Sequence, residues 1–255
     1  MNRFFLGLDI GSSYTKYIII DNFKNIVYEN FSKSLTRNKN IEQNIRNHIQ
    51  ENFEICQTGV TGYGRNHYSQ SSVVKTELYC ASKAMSELYN YEKMIVDIGG
   101  EDIKIIKSAA GGKVIDFYMN SKCAAGTGAF ISETAERAEI NISEMSELAS
   151  KSKINRELNS FCTVFAKTEI MQWIFDKVEP EDIAKGIYIS TIKRIIKNKI
   201  DYNLPIFLIG GVAEYHPYIR NVMSELIGKE VVIPDKPQFI NAYGAALFAI
   251  ESFNL

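Results

Sequence analysis

FFLGLDIGSSYTKYIII, residues 4–20, and KMIVDIGGEDIKIIK, residues 93–107, decide how this chain is read. Each runs apolar strand, aspartate, glycine-bearing turn, polar residues, lysine, and a second apolar strand. Strand, short turn and strand make a β-hairpin, with the acidic residue and the glycines at its tip. Two hairpins of one layout imply a duplicated α/β domain.

The rest of the chain fits that reading. Residues 57–62 form a third strand candidate ending in the turn TGYGR, and residues 78–91 carry apolar groups at helical spacing. After the second hairpin the chain becomes mainly helical, over 127–138, 163–175 and 180–196. Pro180 with Glu181 and Asp182 starts the last of these, because proline suits the first turn and carboxylates suit the positive end of the dipole. PIFLIGGVAE (205–214) is a buried strand ending in a double glycine. Residues 230–234 give a short strand and 241–253 a closing helix. The division read from this pattern is 1–92 and 93–255, with the closing helix able to pack back on the first part.

Of the 255 residues, 45% are hydrophobic, which is ample for a core, and the formal net charge is -1. That balance gives no basic surface for nucleic acid or an anionic membrane. No apolar run approaches the ~20 residues that span a bilayer. The N-terminal apolar stretch is short, broken by Asp9, and runs into a patterned turn, so it is not read as a signal peptide. A cytoplasmic location is expected. The four cysteines, Cys56, Cys80, Cys123 and Cys162, are no disulfide framework. Each is a small buried hydrophobe, a reactive thiol or a metal ligand. The three histidines, His48, His67 and His216, form no helical zinc pair.

The turns themselves suit phosphate. Glycine lets backbone N–H groups face an anion with no Cβ in the way. Around Gly11, hydroxyls of Ser12, Ser13 and Thr15 and the charge of Lys16 add donors. Asp9 would repel phosphate directly but can hold Mg²⁺ through water. A second turn at Asp97, Gly99 and Gly100, facing the first across a cleft, would clamp terminal phosphates. The same turn, with Asp97 at its start, would orient an attacking water. Gly210 and Gly211 would let the backbone approach an adenosine. One such turn alone could be an ordinary hairpin; two, followed by a strand-ending Gly-Gly, read as an ATP/ADP site. Neither GxxxxGK[ST] nor GxGxxG is present.

DIGSSYTK, DIGGED and LIGGVAE resemble the phosphate-1, phosphate-2 and adenosine motifs of the actin/sugar-kinase/Hsp70 superfamily, whose domains are ribonuclease H-like. Within it, TGYGR, NSKCAAGTGAF and CTVFAKTE resemble the activators (archerases) of 2-hydroxyacyl-CoA dehydratases, in the BadF/BadG/BcrA/BcrD-type ATPase family. The resemblance runs from Leu6 to Phe248. It implies an ATP-hydrolysing activator that passes an electron to a dehydratase or reductase, with ferredoxin or flavodoxin as donor. It also implies one [4Fe-4S] cluster bridging a homodimer, with Cys123 and Cys162 of each subunit as ligands, and it adds Gly126, Thr127 and Gly128 to the binding set. Each cysteine lies ahead of a predicted helix, whose dipole and free N–H groups favour a thiolate ligand. Cys56 and Cys80 read as packing residues. The chain departs from the family pattern at Glu101, where glutamine is usual, at Ala129 for arginine, and at Lys167 for glutamate. A small-molecule kinase on the same scaffold, with Glu101 or Asp102 as base, is the alternative, and it leaves CAAGTG unexplained.

Overall fold

A computed structural model describes residues 3–34, 45, 49, 53–120, 122–160 and 162–253. The chain divides into two compact units. The first comprises Met1–Tyr91, Ser108–Ile115 and Gln238–Leu255; the second comprises Glu92–Lys107 and Asp116–Pro237.

The first sheet contains β1 (Phe4–Ile10), β2 (Tyr14–Asp21), β3 (Ile26–Lys33), β4 (Ile55–Thr61) and β5 (Val73–Val74), in the order β3-β2-β1-β4-β5. The β1–β2 and β2–β3 pairs are antiparallel, and β1–β4 and β4–β5 are parallel. Leu6, Leu8 and Ile10 of β1 and Ile18, Ile19 and Ile20 of β2 are all buried, as expected of strands covered on both faces. Helix α1 spans Glu77–Leu88. It stops three residues short of the apolar pattern, because Tyr89 is extended at φ -141° and ψ 92°. Cys56 on β4 is exposed, which corrects its reading as a packing residue. Cys80 on α1 is fully buried, and burial pushes its thiol up to about 12.

The second sheet repeats the first. It holds β6 (Lys93–Ile98), β7 (Ile103–Ser108), β8 (Val114–Asn120), β9 (Ile206–Ile209) and β10 (Val231–Val232), in the order β10-β9-β6-β7-β8. Four residues join β6 to its neighbour β7, too few for a parallel crossover, so this is again a hairpin. The pairs β6–β9 and β9–β10 are parallel, as are their counterparts in the first sheet. The same order and the same parallel pairs make the α/β fold a duplicated ribonuclease H-like domain.

Among the described residues six α-helices follow in the second unit: α2 (Gly128–Arg137), α3 (Met145–Lys151), α4 (Thr163–Phe175), α5 (Pro180–Ile196), α6 (Gly211–Tyr215) and α7 (Ile219–Ile227). Twelve of the seventeen residues of α5 are buried, so it is the central helix of this core. Its Ile187 and Ile192 join Val96, Ile105, Phe130 and Ile170 in one cluster. The closing helix α8 (Ile240–Phe253) belongs to the first unit and packs on β1, β4 and α1. It fits because Gly7, Gly59 and Gly244 lie where a Cβ would overlap backbone atoms of Ala242, Ala245 and Cys80. Such close approach is a use of glycine that propensity alone would not reveal.

Candidate functional site

In the first unit the turn after Asp9 closes through Gly11 N–H donating to the Tyr14 carbonyl at 3.2 Å. The N–H groups of Ser12 and Ser13 make no bond within the described residues and remain available to a ligand. Asp9 is 5% exposed, opposite Lys16 on β2 and Thr61 on β4. The Lys16 ammonium stands 3.5 Å from Asp9 Oδ2, a long ion pair that leaves room for competing partners. Thr15 is turned inward. Its hydroxyl lies 2.9 Å from Ser34 Oγ, which in turn donates to the Gly11 carbonyl at 2.6 Å. Thr15 therefore holds the shape of the turn and does not offer a proton outward.

The second unit carries the same turn. Gly99 N–H donates to the Asp102 carbonyl at 2.9 Å, and Asp97 is buried at the end of β6. Glu101 projects at the exposed tip. Lys104 is spaced from Asp97 as Lys16 is from Asp9, which is a signal the sequence contains. In the folded unit it is 3% exposed and pairs with Asp102 Oδ2 at 2.6 Å. The buried ammonium beneath the turn offsets the negative charge that Asp97 and Asp102 would bring to a phosphate.

Both aspartates are backed by a glycine in the left-handed region. Gly62, the first residue after β4, has φ +92°, and a Cβ there would lie 2.6 Å from Asp9 Oδ1. Gly210, the first residue after β9, has φ +95°, and a Cβ there would overlap Asp97 Oδ1 and approach the Ile98 carbonyl at 2.6 Å. Gly210 also donates its N–H to the Pro237 carbonyl at 3.0 Å, while Gly211 beside it faces open space. Gly62 is a site residue visible in TGYGR only once the duplication is laid strand on strand.

Gly126 and Thr127 lie between Cys123 and α2, and Gly128 is the first residue of that helix. Gly126 has φ +86° and packs against Ile103 and Arg194. Thr127 sends both its N–H (3.0 Å) and its hydroxyl (2.6 Å) to the Ala124 carbonyl. Gly128 N–H donates to the Gly99 carbonyl at 3.0 Å, and Ala129 N–H to the Gly100 carbonyl at 2.7 Å. The head of α2 is thus bonded onto the turn after Asp97, and its first two N–H groups are not free for a ligand.

The two cysteines differ in consequence. Both are exposed free thiols. Cys162 is the N-cap residue of α4, with no side-chain cap, so the residue sits at the open N-terminus of a thirteen-residue helix. Cys123 stands several residues ahead of α2, whose first N–H groups are occupied, so the helix-end environment expected for both belongs to Cys162. Among the described residues no group of three or more His, Cys, Asp or Glu could hold a metal. Two outward thiols in one unit fit a four-thiolate cluster as half of a ligand set shared between two chains.

Elsewhere in the second unit, Tyr188 OH lies 2.8 Å from His216 Nδ1 and 3.2 Å from Ser146 Oγ. Burial holds the His216 imidazole down, at about 4, and raises the Tyr188 phenol.

Paired Asp-x-Gly turns on duplicated sheets, each backed by a left-handed glycine, define a nucleotide-hydrolysing protein of actin-like fold. The model of the BadF/BadG/BcrA/BcrD ATPase family matches residues 6–249, and the chain belongs to that family. A 2-hydroxyisocaproyl-CoA dehydratase activator of Clostridioides difficile is 34% identical over 252 residues, covering 96% of this chain and 94% of its own. The crystal structure of the (R)-2-hydroxyglutaryl-CoA dehydratase component A of Acidaminococcus fermentans superposes with a TM-score of 0.91. It is 31% identical, and the match covers 99% of both chains. The activator of the 2-hydroxyisocaproyl-CoA dehydratase from Clostridium difficile with bound ADPNP superposes with a TM-score of 0.87. It is 33% identical, and the match covers 100% of this chain and 96% of that one. No helix among the described residues is long and apolar enough to cross a membrane.

Proposed function

We propose that this ATPase is the activator of a 2-hydroxyacyl-CoA dehydratase or related reductase. It carries a [4Fe-4S] cluster between two copies of the chain and uses ATP to drive an electron from that cluster to the partner enzyme. Cys123 and Cys162 of each copy are the ligands. Asp9 holds Mg²⁺ through water, and the loops at Gly11–Lys16 and Gly99–Gly100 hold the phosphates. Asp97 and Glu101 position the attacking water, and Gly210–Gly211 the adenosine. A ferredoxin or flavodoxin supplies the electron in the cytoplasm.

The observation that carries this reading lies inside the second unit. The turn after Asp97 holds the head of α2 through the Gly128–Gly99 and Ala129–Gly100 hydrogen bonds, and the chain reaches that head through Cys123. A turn that responds to the γ-phosphate is therefore bonded to the element that delivers a cluster ligand. Nucleotide state can bias the cluster's surroundings through two short backbone links.

The test is the iron and sulfide content after anaerobic purification. About four iron and four sulfide per dimer are expected, because a cluster of this class takes four thiolates. Cys162→Ala should abolish the iron and leave ATP turnover in place. A colourless, metal-free wild-type protein after anaerobic reconstitution overturns the reading.

A further inference from the structure

The cluster reading above assigns no role to Glu169, a half-buried residue on the second turn of α4. Its carboxylate reaches back to the segment that delivers Cys162. Asn159 N–H lies 3.0 Å from Oε1 and 2.9 Å from Oε2, Asn159 Nδ2 donates to Oε1 at 2.7 Å, and Ser160 N–H donates to Oε2 at 3.4 Å. The line continues to the cysteine, because Ser160 Oγ accepts the Cys162 N–H at 3.2 Å. The Cys162 carbonyl then accepts Ala166 N–H at 2.8 Å, which starts the helix.

The segment is anchored just upstream, where the buried Leu158 donates its N–H to Ser190 Oγ at 2.9 Å. Between that anchor and Cys162 the backbone bends over Asn159 and Ser160. Among the described residues Glu169 is the side chain that takes up their N–H groups. Its own place is fixed by the buried Ala166 and Ile170 on the same helix. An ionised acceptor binding several N–H donors makes stronger hydrogen bonds than a neutral one. A glutamine cannot reproduce it, because its NH₂ group would face donors.

We propose that Glu169 is a positioning residue for the cluster: it clamps Asn159 and Ser160 so that the Cys162 thiolate is held at the end of α4 for ligation. This rests on the proposed cluster function. Residues that orient a ligand from behind it change metal affinity by ~10–100-fold when they are lost.

The experiment compares wild type, Glu169→Gln and Asn159→Ala as full chains, reconstituted anaerobically. Iron release to a chelator is followed in time, together with the EPR spectrum of the reduced cluster. Amide exchange at residues 159 and 160 is measured in the metal-free proteins. Glu169→Gln should release iron at least ~10-fold faster and broaden the EPR lines. Exchange at both amides should rise by a comparable factor. Asn159→Ala removes the amide-side-chain bond alone and should shift each readout in the same direction by less. It also decides the matter if Glu169→Gln does not fold. Wild-type release rates and spectra in both variants overturn the proposal while leaving the cluster function standing. A wild-type protein that takes up no cluster overturns both.

Discussion

A Cβ on Gly210 would run into Oδ1 of Asp97, just as one on Gly62 would crowd Oδ1 of Asp9 at 2.6 Å. The carboxylate and the backbone turn behind it are therefore one packed object in each unit. Gly210 is also at φ +95°, a conformation that L side chains rarely adopt. Gly210→Ala should combine strain with overlap and destabilise the second unit by roughly 1–3 kcal/mol. Gly211 has nothing within 4 Å of its Cβ position. Gly211→Ala should keep wild-type thermal stability and weaken ATP binding, provided the backbone there approaches the nucleoside. Melting midpoints and nucleotide titration on the two variants separate these effects.

Asp9 is buried, 3.5 Å from Lys16, and the proposed function has it hold Mg²⁺ through water. Removing its charge leaves the shape of the turn intact, because Thr15, Ser34 and Gly11 hold that shape independently. Asp9→Asn should lower ATP turnover by roughly 10–100-fold, as expected for an outer contact to a metal, without altering iron content. Raising the Mg²⁺ concentration should restore part of the rate. Turnover unchanged at low Mg²⁺ would remove Asp9 from the site.

The hairpins were legible because an aspartate, a glycine and a lysine recur at fixed intervals in 4–20 and 93–107. The helices over 163–175 and 180–196 were legible from apolar spacing and, for the second, from a first-turn proline followed by two carboxylates. What stayed hidden depends on contacts between distant segments. Gly62 shows its role only against Ile10 and Asp9, and Lys104 only when paired with Asp102. The occupied donors at the head of α2 depend on carbonyls of the Asp97 turn. Cys56 lies in an apolar-looking strand run, yet faces outward. Edge strand β8 was missed because Ile115, Phe117 and Met119 are exposed, so its apolar residues do not mark a buried face.

Glu101 stands at the exposed tip of the Asp97 turn, and the proposed function puts its carboxylate beside the attacking water. Glutamine at this position could orient the water but could not accept its proton. Glu101→Gln is expected to change kcat for ATP turnover by roughly tenfold or more and to leave KM for ATP within about threefold. An unchanged kcat in the variant would mean that Glu101 positions water and does no acid–base work.

His216 is 5% exposed, with Nδ1 2.8 Å from the Tyr188 hydroxyl oxygen. Burial lowers its pKa to about 4 from the 6.5 of an ordinary histidine. Above pH 6.5 the imidazole is neutral in both folded and unfolded chains and adds no pH dependence. As pH falls from 6.5 toward 4, the unfolded chain takes up a proton that the folded one refuses, so stability falls across that window. At pH 5 the loss from this group is of order 2 kcal/mol, and it approaches roughly 3 kcal/mol once pH is below the folded value. His216→Gln retains a polar group opposite Tyr188 but cannot titrate. Its stability at pH 7.5 should be lower than wild type, and its decline between pH 6.5 and 4.5 should be shallower by about that amount. Denaturant midpoints measured at half-unit pH steps decide it: parallel curves for the two proteins would show that His216 is protonated inside the fold.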